Sequence, residues 1–288
     1  MQARVPNACR RCSTPEYAYL NCQTRAMELS TMTYTVADGV AHVRFTRPEG
    51  ANAMNNDFAR DLREVMIAIS FDDAVKAVSV TADGKVFSAG GDLKYFNSLG
   101  PALPAAAASL VTDYHAATYR MNRTPKPFVA GARGAAGGAG MSIMCAFDLV
   151  IAGESAKFTM GYTKAAMTPD GTSSYFLARH IGLRRAMELT LTNRVLTAHE
   201  ALEWGLVNQV VPDDEVDGAT AALAASFASG AARSLGVAKR LIYEGFESSL
   251  EEAGEREGHA ITDTMATPDG IEGISAFAER REPNYRGE

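Results

Sequence analysis

The chain has 288 residues, 47% hydrophobic and 22% charged, enough to bury a sizeable core and too apolar for a disordered segment. Its formal charge of -6, from 34 acidic and 28 basic residues, argues against a phosphate-tracking nucleic-acid face. Four cysteines exclude a disulfide-built scaffold, and the uncharged central stretch 134–147 is short and glycine-rich beside the ~20 apolar residues of a membrane span.

Residues 1–31 read as an N-terminal extension foreign to the rest. They hold Cys9, Cys12 and Cys22, four arginines and two glutamates, with no clear period. CRRC at 9–12 lacks the second cysteine pair or nearby histidine that would complete a zinc site, so no metal is expected. No apolar signal core follows the arginines, which favours a cytoplasmic protein. A transit peptide and a start at Met27 or Met32 stay open as accounts of the extension.

Thr33–Ala37 and Val40–Thr46 alternate around Asp38-Gly39, a hairpin signal. The turn-rich loop RPEGANAMNN follows. Asn55 or Asn56 then caps a helix whose apolar positions Phe58, Leu62, Val65, Met66 and Ile69 share one face. Val75–Thr81 reads as a buried strand ended by Asp83-Gly84. The stretch 101–108 reads as a loop, and Ser109–Met121 as a helix. The pattern then recurs: strand Pro127–Gly131, short helix Gly138–Phe147, strand Leu149–Ala152, strand Lys157–Thr159, and helices Thr172–His180, Arg184–Leu191 and Ala198–Trp204. Leu206–Val211 is a last strand. Cys145 reads as a buried thiol and Trp204 as core at a helix end. Strands alternating with helices predict an α/β layered core over 32–212, followed by a helical region over 213–288. Residues 244–288 carry 12 acidic and 4 basic side chains, so one face of that region is solvated. Its apolar face is expected to meet another subunit.

Two glycine-rich turns, FSAGGDL at 87–93 and GAAGGAG at 134–140, each run from a strand into a helix. Neither is a dinucleotide or P-loop fingerprint. Such turns supply unshielded N–H groups at a helix N-terminus, and two that converge form an oxyanion hole. The plainer account is tight turning and close packing. Pro169-Asp170-Gly171 is a turn signal, and an Asp just before a helix is often a cap. His115, inside its helix, reads more simply as a surface or packing histidine.

FSAGGDL, RPEGANAMNN, GARGAAGGAG and FAERREPNY together resemble the crotonase superfamily, the enoyl-CoA hydratase/isomerase family, over about Thr33–Arg286. The resemblance implies a spiral of ββα units with a C-terminal helical oligomerisation region, assembled as a homotrimer or hexamer. It implies an acyl-CoA thioester substrate with no separate cofactor, coenzyme A being part of the substrate. It assigns the oxyanion donors to the N–H groups of Gly91 and Ala139, the latter replacing the family's usual glycine. It places Ala51, Ala53, Ala89, Asp92, Leu93 and Gly138 along the substrate. Lys94, Lys164, Lys239, Arg280 and Arg281 are candidates for the CoA phosphates.

The two carboxylates of the family's hydratases fall at Ser142 and Tyr162, so simple hydration is disfavoured, since proton transfer wants a group with a pKa near the working pH. The segment Tyr162–Tyr175 resembles the Δ3,Δ2-enoyl-CoA isomerases and the epoxyphenylacetyl-CoA isomerase, whose single acid/base falls at Asp170. Ala165, Ala166 and Met167 are expected to give that carboxyl an apolar wall. The run Ala178–Val210 is similar to 4-chlorobenzoyl-CoA dehalogenase, whose nucleophilic aspartate falls at Asp170, histidine at His115 and companion tryptophan at Tyr162. Isomerase is the leading expectation. An aryl-CoA dehalogenase or hydrolase, a hydratase and a catalytically silent CoA-binding homologue are the alternatives.

Overall fold

The computed structural model describes residues 27–287; Cys9, Cys12 and Cys22 lie outside them. The first two strands, β1 (Met32–Ala37) and β2 (Val40–Phe45), form an antiparallel hairpin. Asp38 and Gly39 both have positive φ, as its two-residue turn requires. Helix α1 (Asn56–Phe71) starts where the Asn55 side chain accepts the Phe58 N–H, and its buried residues include Phe58, Leu62, Val65, Met66 and Ile69. Strand β3 (Ala77–Ala82) is buried at every position, as suits a parallel strand covered on both faces.

After β3 come α2 (Leu93–Ser98), α3 (Leu103–Arg123), β4 (Phe128–Ala132), β5 (Ala135–Gly137), α4 (Ala139–Ala146), β6 (Leu149–Gly153) and β7 (Lys157–Thr159). Next are α5 (Ser173–Ile181), α6 (Leu183–Thr192), β8 (Leu196–Thr197), α7 (Ala198–Trp204) and β9 (Gln209–Val211). Four helices finish the chain: α8 (Val216–Ala228), α9 (Ala232–Gly245), α10 (Leu250–Met265) and α11 (Pro268–Glu279).

The main sheet runs β1-β2-β3-β4-β6-β9 and is parallel beyond the hairpin. A second sheet, β5-β7-β8, stands beside it. Helices α1, α3 and α4 contribute to the larger core on one side of the main sheet. Helix α8 closes the other side through Val216 and Ala224 against Val40, Ala77, Val129 and Ile151.

Three local expectations change. The loop expected at 101–108 is mostly helix: α3 begins at Leu103, with Pro104 in its first turn, where the missing N–H costs nothing. Strands β5 and β8, of three and two residues, are too short to show a period. The last strand is shorter than expected because the N–H groups of Leu206 and Val207 turn back to the Ala201 carbonyl past Gly205. Among the described residues no helix is long and apolar enough to cross a membrane.

Candidate active site

The two glycine-rich turns lie side by side. Ser88 N–H donates to the Ala135 carbonyl (3.2 Å), and Gly137 N–H donates to the Ser88 carbonyl (3.0 Å). On the other flank Met54 N–H donates to the Gly90 carbonyl (2.7 Å) and Asp92 N–H to the Met54 carbonyl (2.9 Å). Gly90 has φ +99°, and a Cβ there would stand 2.6 Å from the Gly137 carbonyl oxygen and 3.2 Å from the Ala139 nitrogen. That contact brings the turn preceding Gly91 against the start of α4. Gly138 caps α4 without a side-chain bond, and Ala139 is its first residue, so the Ala139 N–H has no partner within the helix. Neither the Gly91 nor the Ala139 N–H has an acceptor among the described residues.

Asp170 does not serve as the cap that its position before α5 suggested. Thr172 is the N-cap and makes no side-chain bond, while Ser173 donates to the Asp170 main-chain carbonyl. The carboxylate instead meets His115, with Nε2 2.7 Å from Oδ1. Both side chains are partly exposed, at 29% and 28%. His115 sits on α3 where a packing role seemed simpler; its spacing alone could not show that α3 crosses the turn at Pro169–Gly171.

Tyr114, the preceding residue, was not foreseen. It is fully buried, and its hydroxyl donates to the Ala139 carbonyl (2.7 Å). Its ring lies where a side chain on Gly171 would have to go. One side chain thus touches the Ala139 carbonyl at the start of α4 and the Gly171 backbone next to Asp170. The legible trace was the i, i+4, i+7, i+11 spacing of Leu110, Tyr114, Ala117 and Met121, the inner stripe of α3.

The two positions of the expected hydratase acids hold a neutral pair. Ser142 Oγ and Tyr162 Oη are 2.9 Å apart in a buried setting. Burial pushes the Tyr162 phenol well up, with the Asp170 charge adding to the rise, and burial does the same to Tyr114. Both stay protonated near neutral pH and cannot act as anionic bases.

The other expected residues are distributed as follows. Ala51 and Asn52 have positive φ in the turn after Pro48, and the Ala51 carbonyl accepts the Ala89 N–H (2.9 Å), so Ala51, Ala53 and Ala89 lie along the same seam. Asp92 caps α2 at Tyr95 N–H and pairs with Arg47 (3.3 Å), which also donates to the Ala53 carbonyl. Leu93 is 54% exposed beside it. Lys94 and Lys164 are exposed. Lys239 is not available to CoA: it is buried, pairs with Asp148 (2.8 Å) and donates to the Met121 and Lys126 carbonyls. Arg281 is held by Glu272 and Glu279, and Arg280 ends α11 in the left-handed region. Ala165, Ala166 and Met167 are exposed and form no closed apolar wall. Cys145 is buried, which pushes its thiol up to about 12. Trp204 is packed as expected, with Arg185 and Arg194 over its ring. Among the described residues no three His, Cys, Asp or Glu side chains form a metal-holding group.

Residues 35–288 match the family model for enoyl-CoA hydratase/isomerase. The 4-chlorobenzoyl coenzyme A dehalogenase-1 of an Arthrobacter species is 34% identical over 84% of this chain and 88% of its own. The 1,2-epoxyphenylacetyl-CoA isomerase of Escherichia coli is 33% identical over 88% of this chain and 97% of its own. Among solved structures, the enoyl-CoA hydratase from Bacillus anthracis superposes with a TM-score of 0.84 at 29% identity, over 90% of this chain and all of that one. The family match over nearly the whole described chain and relatives above 30% identity, on the same fold, show that the chain belongs to the enoyl-CoA hydratase/isomerase family.

Proposed function

We propose that the chain is an acyl-CoA isomerase that shifts a carbon–carbon double bond by proton transfer through an enolate. The observation that carries this reading is the Ser142–Tyr162 hydroxyl pair. It stands where both carboxylates that water addition would use are expected, and leaves the partly exposed Asp170 carboxylate as the acid/base. The Asp170 carboxylate takes the α proton of a 3-enoyl thioester. The electron pair spreads into a dienolate, whose oxygen is held by the N–H groups of Gly91 and Ala139. The same carboxyl then returns the proton to the γ carbon, giving the 2-enoyl thioester.

Each preorganised donor is worth about 3 kcal/mol of barrier and a placed base about 10²–10⁴-fold. Those magnitudes suffice with the chain's own groups. Asp170→Asn is expected to lower isomerisation of a 3-enoyl-CoA by about 10²–10⁴-fold, with the dissociation constant for acyl-CoA within about threefold. Undiminished turnover in that variant removes the assignment.

The His115–Asp170 contact supports a second reading, in which the Asp170 carboxylate attacks the halogen-bearing ring carbon of an aryl thioester, halide leaves, and His115 takes a proton from the water that cleaves the resulting aryl ester, freeing the hydroxylated product and the carboxylate. The reactions separate in D₂O. Isomerisation incorporates deuterium at the α or γ carbon of the product. Aryl transfer leaves an enzyme adduct that accumulates in His115→Ala.

A further inference from the structure

Between Tyr162 and Pro169 the chain has little to hold it, since residues 163–168 are all exposed. Tyr162, just before them, is buried, and so is Ser142 opposite it on α4. A buried hydroxyl left without a partner is costly, so the bonds of this pair can be followed one by one. Ser142 Oγ donates to the Gly138 carbonyl (3.3 Å) and lies 2.9 Å from Tyr162 Oη. Burial raises the Tyr162 phenol most, and two hydrogen-bond partners act against that rise, the Ser142 hydroxyl and the main-chain N–H of Asp170. An N–H can only donate. The Tyr162 oxygen therefore accepts from Asp170 and gives its own proton to Ser142, whose proton goes on to Gly138. Each hydroxyl accepts once and donates once.

We propose that Ser142 and Tyr162 are positioning residues: the directed chain from the Asp170 N–H through the two hydroxyls to the Gly138 carbonyl sets the main chain of Asp170 in register with the turn that enters α4. The inference rests on the isomerase reading above and deepens it, because it gives the neutral pair a task of its own. Gly138 has φ +50° and no side chain to fix it, and Ala139, the next residue, carries one of the assigned donors. Tyr114 makes a parallel tie, with its hydroxyl on the Ala139 carbonyl and its ring against Gly171. The two ties thus join successive residues of one turn, Gly138 and Ala139, to successive residues of the other, Asp170 and Gly171. A double tie resists rotation of one turn against the other as well as their separation, and small misplacements of reacting groups are costly in rate.

Tyr162→Phe and Ser142→Ala each remove one hydroxyl and keep the rest of the side chain. In each variant kcat for a 3-enoyl-CoA is expected to fall about tenfold with KM within about twofold. Either change opens the same chain, so the double variant should also lose about tenfold, where independent sites would lose about a hundredfold. Hydrogen–deuterium exchange read by mass spectrometry needs no turnover. The peptide containing Asp170 should exchange about threefold faster in Ser142→Ala, although the bonds of Ser142 go to Gly138 and Tyr162. Exchange unchanged in Ser142→Ala, kcat within about twofold of wild type in that variant, or losses that multiply in the double variant overturn the proposal. Should Tyr162→Phe not fold, the exchange and kcat of Ser142→Ala decide alone. A wild type that does not isomerise, yet shows the exchange effect, would remove the functional reading and leave the tie standing.

Discussion

Tyr114 has no ionisable part in the proposed chemistry, yet it touches both segments to which that proposal assigns roles. Its hydroxyl holds the Ala139 carbonyl and its ring supports Gly171 beside Asp170. Tyr114→Phe keeps the ring and leaves one buried carbonyl short of a donor, a loss of about 1–3 kcal/mol. We expect kcat for 3-enoyl-CoA to fall by about tenfold with KM within about twofold, because the change misplaces a donor without touching the CoA. A fall in KM-dependent binding alone would show that the strut is only structural. Gly90 is constrained in a different way: at φ +99° any side chain both strains the backbone and strikes the Gly137 carbonyl. Gly90→Ala should therefore cost more activity than Tyr114→Phe, measured in the same assay.

Two contacts between elements govern how the layers stay assembled. Lys239 on α9 reaches Asp148 at the start of β6, and two carbonyls at the α3–β4 junction share its ammonium. Burial lowers the lysine's pKa and raises the aspartate's, while each partner's charge opposes that shift. Removing one partner strands the other, so Lys239→Met is expected to cost about 3–5 kcal/mol in urea unfolding. Adding Asp148→Leu should recover part of that loss. Asp61 on α1 ties down the segment before β1 through the N–H and hydroxyl groups of Ser30 and Thr31. Burial alone would raise its carboxyl pKa, but those bonds and Arg60 outweigh it and hold it below the ordinary carboxylate value. The unfolded chain then binds the proton more readily, so this stability is complete above the unfolded value and lost as pH falls through the folded one. Asp61→Asn should lower the urea midpoint at pH 7 and flatten its decline towards pH 3.

At the scale of the whole molecule, the last two helices stand out. Helices α10 and α11 expose Leu250 (84%), Ile261, Met265, Ile271, Ile274 and Phe277 (90%). Capping is thorough there: Ser249 with Glu252 forms a capping box, and Thr267 accepts the Gly270 N–H. The helices are therefore well terminated yet largely uncovered on one side, and apolar area of this kind gains by meeting more of its own sort. Light scattering is expected to show self-association, and Phe277→Glu to shift it towards monomer; a monomeric wild type would remove that expectation.

Much of the architecture was legible because local rules agreed with each other. Asp38-Gly39 needed positive φ, Asn55 had a free N–H to accept, and the apolar spacing of α1 matched its buried face. The two glycine turns also announced tight turning and close backbone approach, as Gly90 against Gly137 shows. Sequence alone could not place Tyr114 under Gly171, seat His115 against Asp170, or bury Lys239. Each of these depends on how α3 and α9 cross strands far away in the chain. A side chain's partner across a packed interface is set by three-dimensional geometry, which no local period encodes; the same residue types would suit solvent, core or catalysis until the helices dock.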